Sequence, residues 1–269
     1  MSGSLIKRPF ETELLAKVAQ TYGTPTYVYT ESLIRQKISS LRKHLKGIPF
    51  ELSYATKANS ALPVLRVMLD EGLGVDTVSP AELELALRLG FSPERILYSA
   101  NNMTDEEMRF AAASGALLNI GELSRLERYG ESFPGTGICV RLNPQIGAGH
   151  HAHVITAGAK SKFGIPIEQI DQIPDLMDRY DLRMEGLHQH IGSGILDTDI
   201  FWSAISVMLD AANNFPSLRF INLGGGLGIP YQPNERPMDL TTWQQKIVAP
   251  MNAFLARHPA KDLSLSLIH

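Results

Sequence analysis

The sequence is poor in the features that mark secreted, membrane-bound or nucleic-acid-binding proteins. Of its 269 residues only one is cysteine, Cys139, in the apolar stretch "GICVRL". A lone thiol builds no disulfide framework and fits a reducing compartment, and a small buried hydrophobe accounts for it better than a nucleophile does. Charge of one sign is scarce as well: 25 Lys and Arg against 28 Asp and Glu leave a formal net charge of -3. Phosphate backbones and anionic bilayers are held by basic patches, which this balance does not supply. No run reaches the ~18 uncharged apolar residues of a membrane span. The opening "MSGSLIKRPFETELL" has no long apolar core ahead of a small-residue cleavage site. These absences predict a cytoplasmic protein with neither a nucleic-acid nor a membrane partner. With 44% hydrophobic residues, the chain is long enough for one large domain around a substantial core.

What is present is an alternation. Short apolar or β-branched runs ("FELSYAT", "GVDTVS", "ILYSAN", "ALLNIG", "GICVRLNP", "RMEGLHQHIG", "FINLGGG", "LSLSLI") are separated by amphipathic segments such as "PAELELALRLG" and "TDEEMRFAAASG". These helical segments open on a turn residue or an acidic first turn and close on glycine, as helix ends tend to. Eight strand signals in alternation with helices predict a parallel α/β fold closed into a TIM-type (β/α)8 barrel. No low-complexity linker divides it.

Such barrels carry their chemistry at the C-terminal ends of the strands. There the pattern places Lys57 after the first strand, Asp76 in the second and Asn101 after the third. Arg141 and Asn143 fall in the fifth, His188 and His190 in the sixth, and Gly224, Gly225 and Gly226 after the seventh. A lysine at a strand-to-helix junction is either a solvated charge or a chemical group, and the convergence of these residues on one rim favours the second. The three glycines allow close backbone approach to an anion. They do not make a dinucleotide fingerprint, because Ile229 stands where its third glycine belongs. A loop after the seventh strand of a barrel is a common phosphate cradle. His188 and His190 share a strand face; a planar cofactor ring against an imidazole, a core histidine, or a metal with a third ligand from His150, His151 or His153 all remain open. A lysine that forms a Schiff base is activated by burial and nearby cationic charge, which Arg141 would provide, with Asp76 as the anion in turn.

Six motifs in order, "YATKAN", "GVDTVSPAELELALRLG", "VRLNPQ", "SKFGI", "GLHQHIGSG" and "NLGGGLGIPY", resemble the pyridoxal-phosphate-dependent barrel decarboxylases of the alanine racemase-like class. That family comprises the ornithine, arginine and diaminopimelate decarboxylases, and the resemblance covers roughly residues 20 to 260. It implies pyridoxal 5'-phosphate as cofactor and Lys57 as the lysine that holds it. It also implies His190 as the imidazole stacked on its ring, Ser193 and Gly224 to Gly226 as phosphate contacts, and Asp76 and Arg141 as residues lining the cofactor site. Catalysis is assigned to Lys57 and His190, and no metal is expected. The long loop "NPQIGAGHHAHVITAGAKSKFGI" is most similar to the branch that converts meso-diaminopimelate to lysine and carbon dioxide. Ornithine, arginine and carboxynorspermidine are the alternative substrates.

The resemblance also implies features that the sequence does not contain. After the eighth strand the family has a Glu-Pro-Gly-Arg turn and a β-rich domain, including a tyrosine and a cysteine, the latter from the partner subunit of a homodimer. Here the sequence reads "DLSLSLIH" and stops at His269. The expectation is therefore an N-terminal segment over residues 1–30 and a barrel over residues 31–269 that lacks its last helix and the second domain. Impaired turnover and open apolar barrel surface are expected with it.

Overall fold

The computed structural model describes residues 10–146, 158, 161–232 and 235–269. Two helices come first, α1 (Thr12–Tyr22) and α2 (Glu31–His44), and then strands and helices alternate. The order is β1 (Phe50–Ala55), α3 (Leu62–Asp70), β2 (Gly74–Thr77), α4 (Pro80–Leu89), β3 (Ile96–Tyr98), α5 (Asp105–Ala113), β4 (Leu117–Ile120) and α6 (Leu123–Ser132). There follow β5 (Gly137–Asn143), β6 (Ile165–Pro166), α7 (Gln172–Tyr180), β7 (Arg183–His188), α8 (Thr198–Ala212), β8 (Phe220–Asn222), α9 (Leu240–Leu255) and β9 (Ser264–Ile268). All eight strand signals become strands. The two-residue β6, which pairs only with β5, has no counterpart in the hydrophobic pattern.

Every pairing is parallel. The ring runs β1-β2-β3-β4-β5-β7-β8-β9 and closes through β9 against β1, so it has no free edge. The helices start and stop where local chemistry directs. The Ser79 hydroxyl accepts from the Glu82 N–H at 3.3 Å with Pro80 in the first turn of α4, and the helix ends at Gly90 in the left-handed region. α5 opens with a reciprocal box: the Glu107 N–H donates to Thr104 Oγ1 at 3.2 Å, and the Thr104 N–H donates to the Glu107 carboxylate at 2.7 Å.

Because side chains alternate across a strand, register sorts them into two cores. Val75, Ile96, Leu118, Ile120, Val140, Leu187, Ile221, Leu265 and Leu267 point outward and are buried under the helices. Inside the ring the apolar cluster is small: Leu97, Cys139 and Ile268, with Ala55, Leu117 and Phe220 packed against them. The inward register continues upward through polar residues, with Ala55 beside Asp76, Asp76 beside Leu97, Asn119 beside Cys139, and Arg141 beside His188. Gly186 is required in this layer, since a Cβ there would lie 2.2 Å from the Phe220 ring that plugs the lower barrel.

The expected opening of apolar surface at the eighth barrel strand is not seen: Leu265 and Leu267 are buried. The reason is that α2, which precedes the barrel, approaches α9 on the outside, and Asn252 of α9 donates to the Gly47 carbonyl at 3.1 Å. Exposed apolar side chains occur elsewhere. α1 buries none of its residues, and Tyr22, Tyr27, Tyr29, Ile229 and Tyr231 are all exposed.

Candidate active site

The chain arranges the end of β1 so that Lys57 is held in place. A single 3-10 turn, Thr56–Ala58, follows the strand. The Tyr54 hydroxyl donates to the Asn59 carbonyl at 3.2 Å, and the Asn59 side chain accepts from the Ala61 N–H at 3.0 Å, which fixes the step into α3. Lys57 is exposed rather than buried as expected, because this turn stands at the open end of the barrel.

Below it lies a cavity of about 410 Å³. Of the residues anticipated from sequence, Lys57, Asp76, Asn101, Arg141, His188, His190, Ser193, Gly224 and Gly226 all line it. Gly225 does not: it lies behind the wall, where a Cβ would be 1.9 Å from the Ile268 carbonyl oxygen. Gly224 and Gly226 have positive φ values of 69° and 85°, and a Cβ on them would meet the Gln189 and Gly192 carbonyls at 2.2 and 2.0 Å. Each of the three glycines is thus demanded by backbone packing alone, and the loop that results presents no side chain to the cavity. Asn143 does not enter the site. It turns its side chain to the backbone of Gly158 and Gln145.

The electrostatics follow from enclosure. Burial raises the Asp76 carboxyl to about 6, opposed by the Ser99 hydroxyl and by the Lys57 and Arg141 cations. Among the described residues one of its oxygens, Oδ1, has no hydrogen-bond partner. Burial lowers the Arg141 guanidinium to about 10, with Asp76 acting in the opposite direction. Asp76 on β2 and Arg141 on β5 act on each other through their charges but form no ion pair. Arg141 instead donates to Asn101 Oδ1 at 3.4 Å and lies 5.3 Å above the Phe163 ring. Among the described residues this is the one hydrogen bond of the buried guanidinium, which leaves most of its donors for an anion. His190 is pushed down to about 3, first by burial and then by Arg141, Lys57 and His269, so near neutrality it is an uncharged ring. His188 is held well below its ordinary range, again by burial first.

Sequence reasoning missed four residues. Asn222 anchors the glycine loop, accepting from the Gly224 N–H at 2.8 Å while donating to Ser266 at 3.0 Å. Ser99 and His269 line the cavity, and Asn119 is buried beneath it between Ser99 and His188. The available signal was a polar side chain inside an otherwise apolar strand, as in "LLNIG" and "FINLGGG". Among the described residues no group of three His, Cys, Asp or Glu is arranged to hold a metal. His150, His151 and His153 lie outside the described residues.

A closed parallel barrel with a lysine, a glycine loop, a buried arginine and a neutral imidazole around one cavity at its C-terminal rim defines a class of cofactor-binding barrel enzymes. The chain belongs to the family of pyridoxal-dependent decarboxylases, matching the model of their pyridoxal binding domain over residues 31–265. It is 42% identical over 239 residues to the diaminopimelate decarboxylase of Methanothermobacter thermautotrophicus, covering 86% of this chain and 56% of that protein. It is 36% identical over 231 residues to that of Streptomyces coelicolor, covering 84% of this chain and 51% of the relative. The crystal structure of the Helicobacter pylori diaminopimelate decarboxylase complexed with L-lysine superposes with a TM-score of 0.85 at 28% identity, over 94% of this chain and 65% of that one. The chain thus spans about half the length of the curated relatives it matches.

Proposed function

We propose that the cavity binds pyridoxal 5'-phosphate and that the protein of which this barrel is part decarboxylates meso-diaminopimelate to L-lysine and carbon dioxide. The observation that carries the reading is the convergence of Lys57, Asp76, Arg141, His190 and the glycine loop on one cavity, in a chain of the pyridoxal-dependent decarboxylase family. The residues fit the group. Arg141 has donors to spare for an anionic oxygen, Asp76 Oδ1 lacks a partner, and the bare backbone at Gly224 and Gly226 admits a phosphate. When bound, the cofactor supplies an electron sink for the electron pair left as the carboxyl group departs.

The chain's own residues do the rest. Lys57, on its pinned turn, is the covalent anchor and the amine that moves protons at the reacting carbon. Neutral His190 offers a flat face for stacking and adds no charge of its own. Ser193 and the glycine loop would hold the phosphate, and Arg141 and Asp76 would offer hydrogen-bonding groups to the rest of the cofactor. Residues 31–269 form the cofactor unit, residues 1–30 lead into it, and the complete protein works as a cytoplasmic homodimer. The test is release of carbon dioxide from meso-diaminopimelate, with ornithine, arginine and carboxynorspermidine as competitors. Turnover of diaminopimelate at least tenfold above the others is expected, and preference for another amine overturns the substrate.

The alternative reading is a barrel that takes the cofactor and turns nothing over. Cofactor uptake without carbon dioxide release would establish it.

A further inference from the structure

The roles above leave one buried polar group unused. Asn119 on β4 is 3% exposed, and its amide nitrogen bridges two strands. It lies 2.8 Å from Nδ1 of His188 on β7 and 3.1 Å from Oγ of Ser99, the residue after β3. Among the described residues its Oδ1 has no partner. The three side chains form a polar layer that spans the barrel beneath the cavity, and His188 and Ser99 are part of the cavity wall.

The direction of these hydrogen bonds is set by counting hydrogens. The Asn119 NH2 group has two hydrogens, and one of them is donated to Ser99 Oγ at 3.1 Å. Ser99 Oγ is then an acceptor towards Asn119. The second amide hydrogen falls on His188 Nδ1, which must offer a lone pair. Turning the amide over would orphan two buried donors in place of one carbonyl oxygen, and unpaired buried N–H groups are the rarer case. His188 is neutral, so its single ring proton sits on Nε2.

We propose that Asn119 is a positioning residue that fixes His188 as the Nε2–H tautomer and makes it a neutral hydrogen-bond donor in the cavity wall, for an anionic oxygen of the bound ligand. The tautomer follows from the protein alone; only the ligand rests on the function proposed above. A ring held in this way adds a donor without adding charge, which distinguishes it from Arg141, its register partner on the neighbouring strand β5.

The experiment is nitrogen NMR on protein with 15N-labelled histidine, without added cofactor, the His188 signals being assigned by their loss in His188→Gln. Wild-type protein is expected to show a proton on Nε2 and none on Nδ1. A proton on Nδ1 in the wild type overturns the proposal whatever the variants do. In Asn119→Asp a carboxylate faces Nδ1, and a proton is expected to move onto it; an unchanged nitrogen pattern in a folded variant also overturns the proposal. Titration with pyridoxal 5'-phosphate then reads the donor's effect, with affinity expected to fall on the order of tenfold in Asn119→Asp. Unchanged affinity there removes the ligand-facing role. Absence of uptake by the wild type counts against the proposed cofactor, while the nitrogen pattern still decides the tautomer.

Discussion

The outer and inner faces of the same eight strands have opposite characters. Outward, Val75, Ile120, Val140, Leu187 and Leu265 pack on helices in a continuous aliphatic layer, each about 1% exposed or less. Inward, one residue away along the same strands, stand Asp76, Asn119, Arg141 and His188, with only a thin apolar cluster beneath them. The outer layer supplies the burial that holds the barrel together, at about 1.5–3 kcal/mol per large aliphatic side chain. The inner layer accepts the cost of buried polar groups for the sake of a cavity with a spare guanidinium and two neutral imidazoles. Stability and chemistry are thus divided by strand parity, and a one-residue slip would exchange them.

Substitutions that separate the two faces test this division. The largest effect belongs to Lys57→Ala: covalent cofactor uptake should vanish, while thermal stability of the unliganded protein changes by less than ~0.5 kcal/mol, as for other exposed positions. A comparable loss of stability would mean that Lys57 is structural. Leu187→Ala, on the outer face, should cost ~2–5 kcal/mol by denaturant unfolding, yet leave cofactor affinity unchanged in the protein that stays folded. Loss of affinity in step with stability would show that the faces are coupled.

Asp76→Asn should act in the opposite sense. The native carboxyl is raised from 3.8 to about 6, so the folded barrel binds this proton more tightly than the unfolded chain. The penalty for ionising it in place grows as pH rises between those values and is complete above them. The unliganded variant should therefore be more stable than wild type at pH 8, by at most about 3 kcal/mol, with the gain gone below pH ~4. A gain independent of pH would assign the effect to packing. The smallest effect is at Cys139, buried in the inner cluster with its thiol pushed well up by burial. It should react with thiol reagents only as fast as the protein unfolds, and rapid native labelling would show that the inner cluster is open.

Much of this organisation was legible in the sequence. The eight strands and their order followed from apolar runs bounded by turn residues, and the rim residues from the rule that barrel chemistry sits at strand ends. Parity was harder to read. Strands of a parallel barrel are covered on both faces and read as nearly continuous apolar runs, so only the polar exceptions reveal which residues point inward. Asp76 and Arg141 were visible in that way. Asn119, Ser99 and Asn222 have no charge to mark them and gain their meaning from neighbours 20, 69 and 44 residues away in the sequence. The exposure of Lys57 and the packing that requires Gly225 depend on loop geometry that no periodicity encodes.

The most direct test of the account is reduction of the purified chain with borohydride in the presence of pyridoxal 5'-phosphate, followed by mass spectrometry of the Lys57 peptide. The account predicts a stable pyridoxyl adduct on Lys57 and an absorbance band in the visible that disappears on reduction. A folded chain with no adduct at Lys57, or with adducts spread over surface lysines, would contradict it.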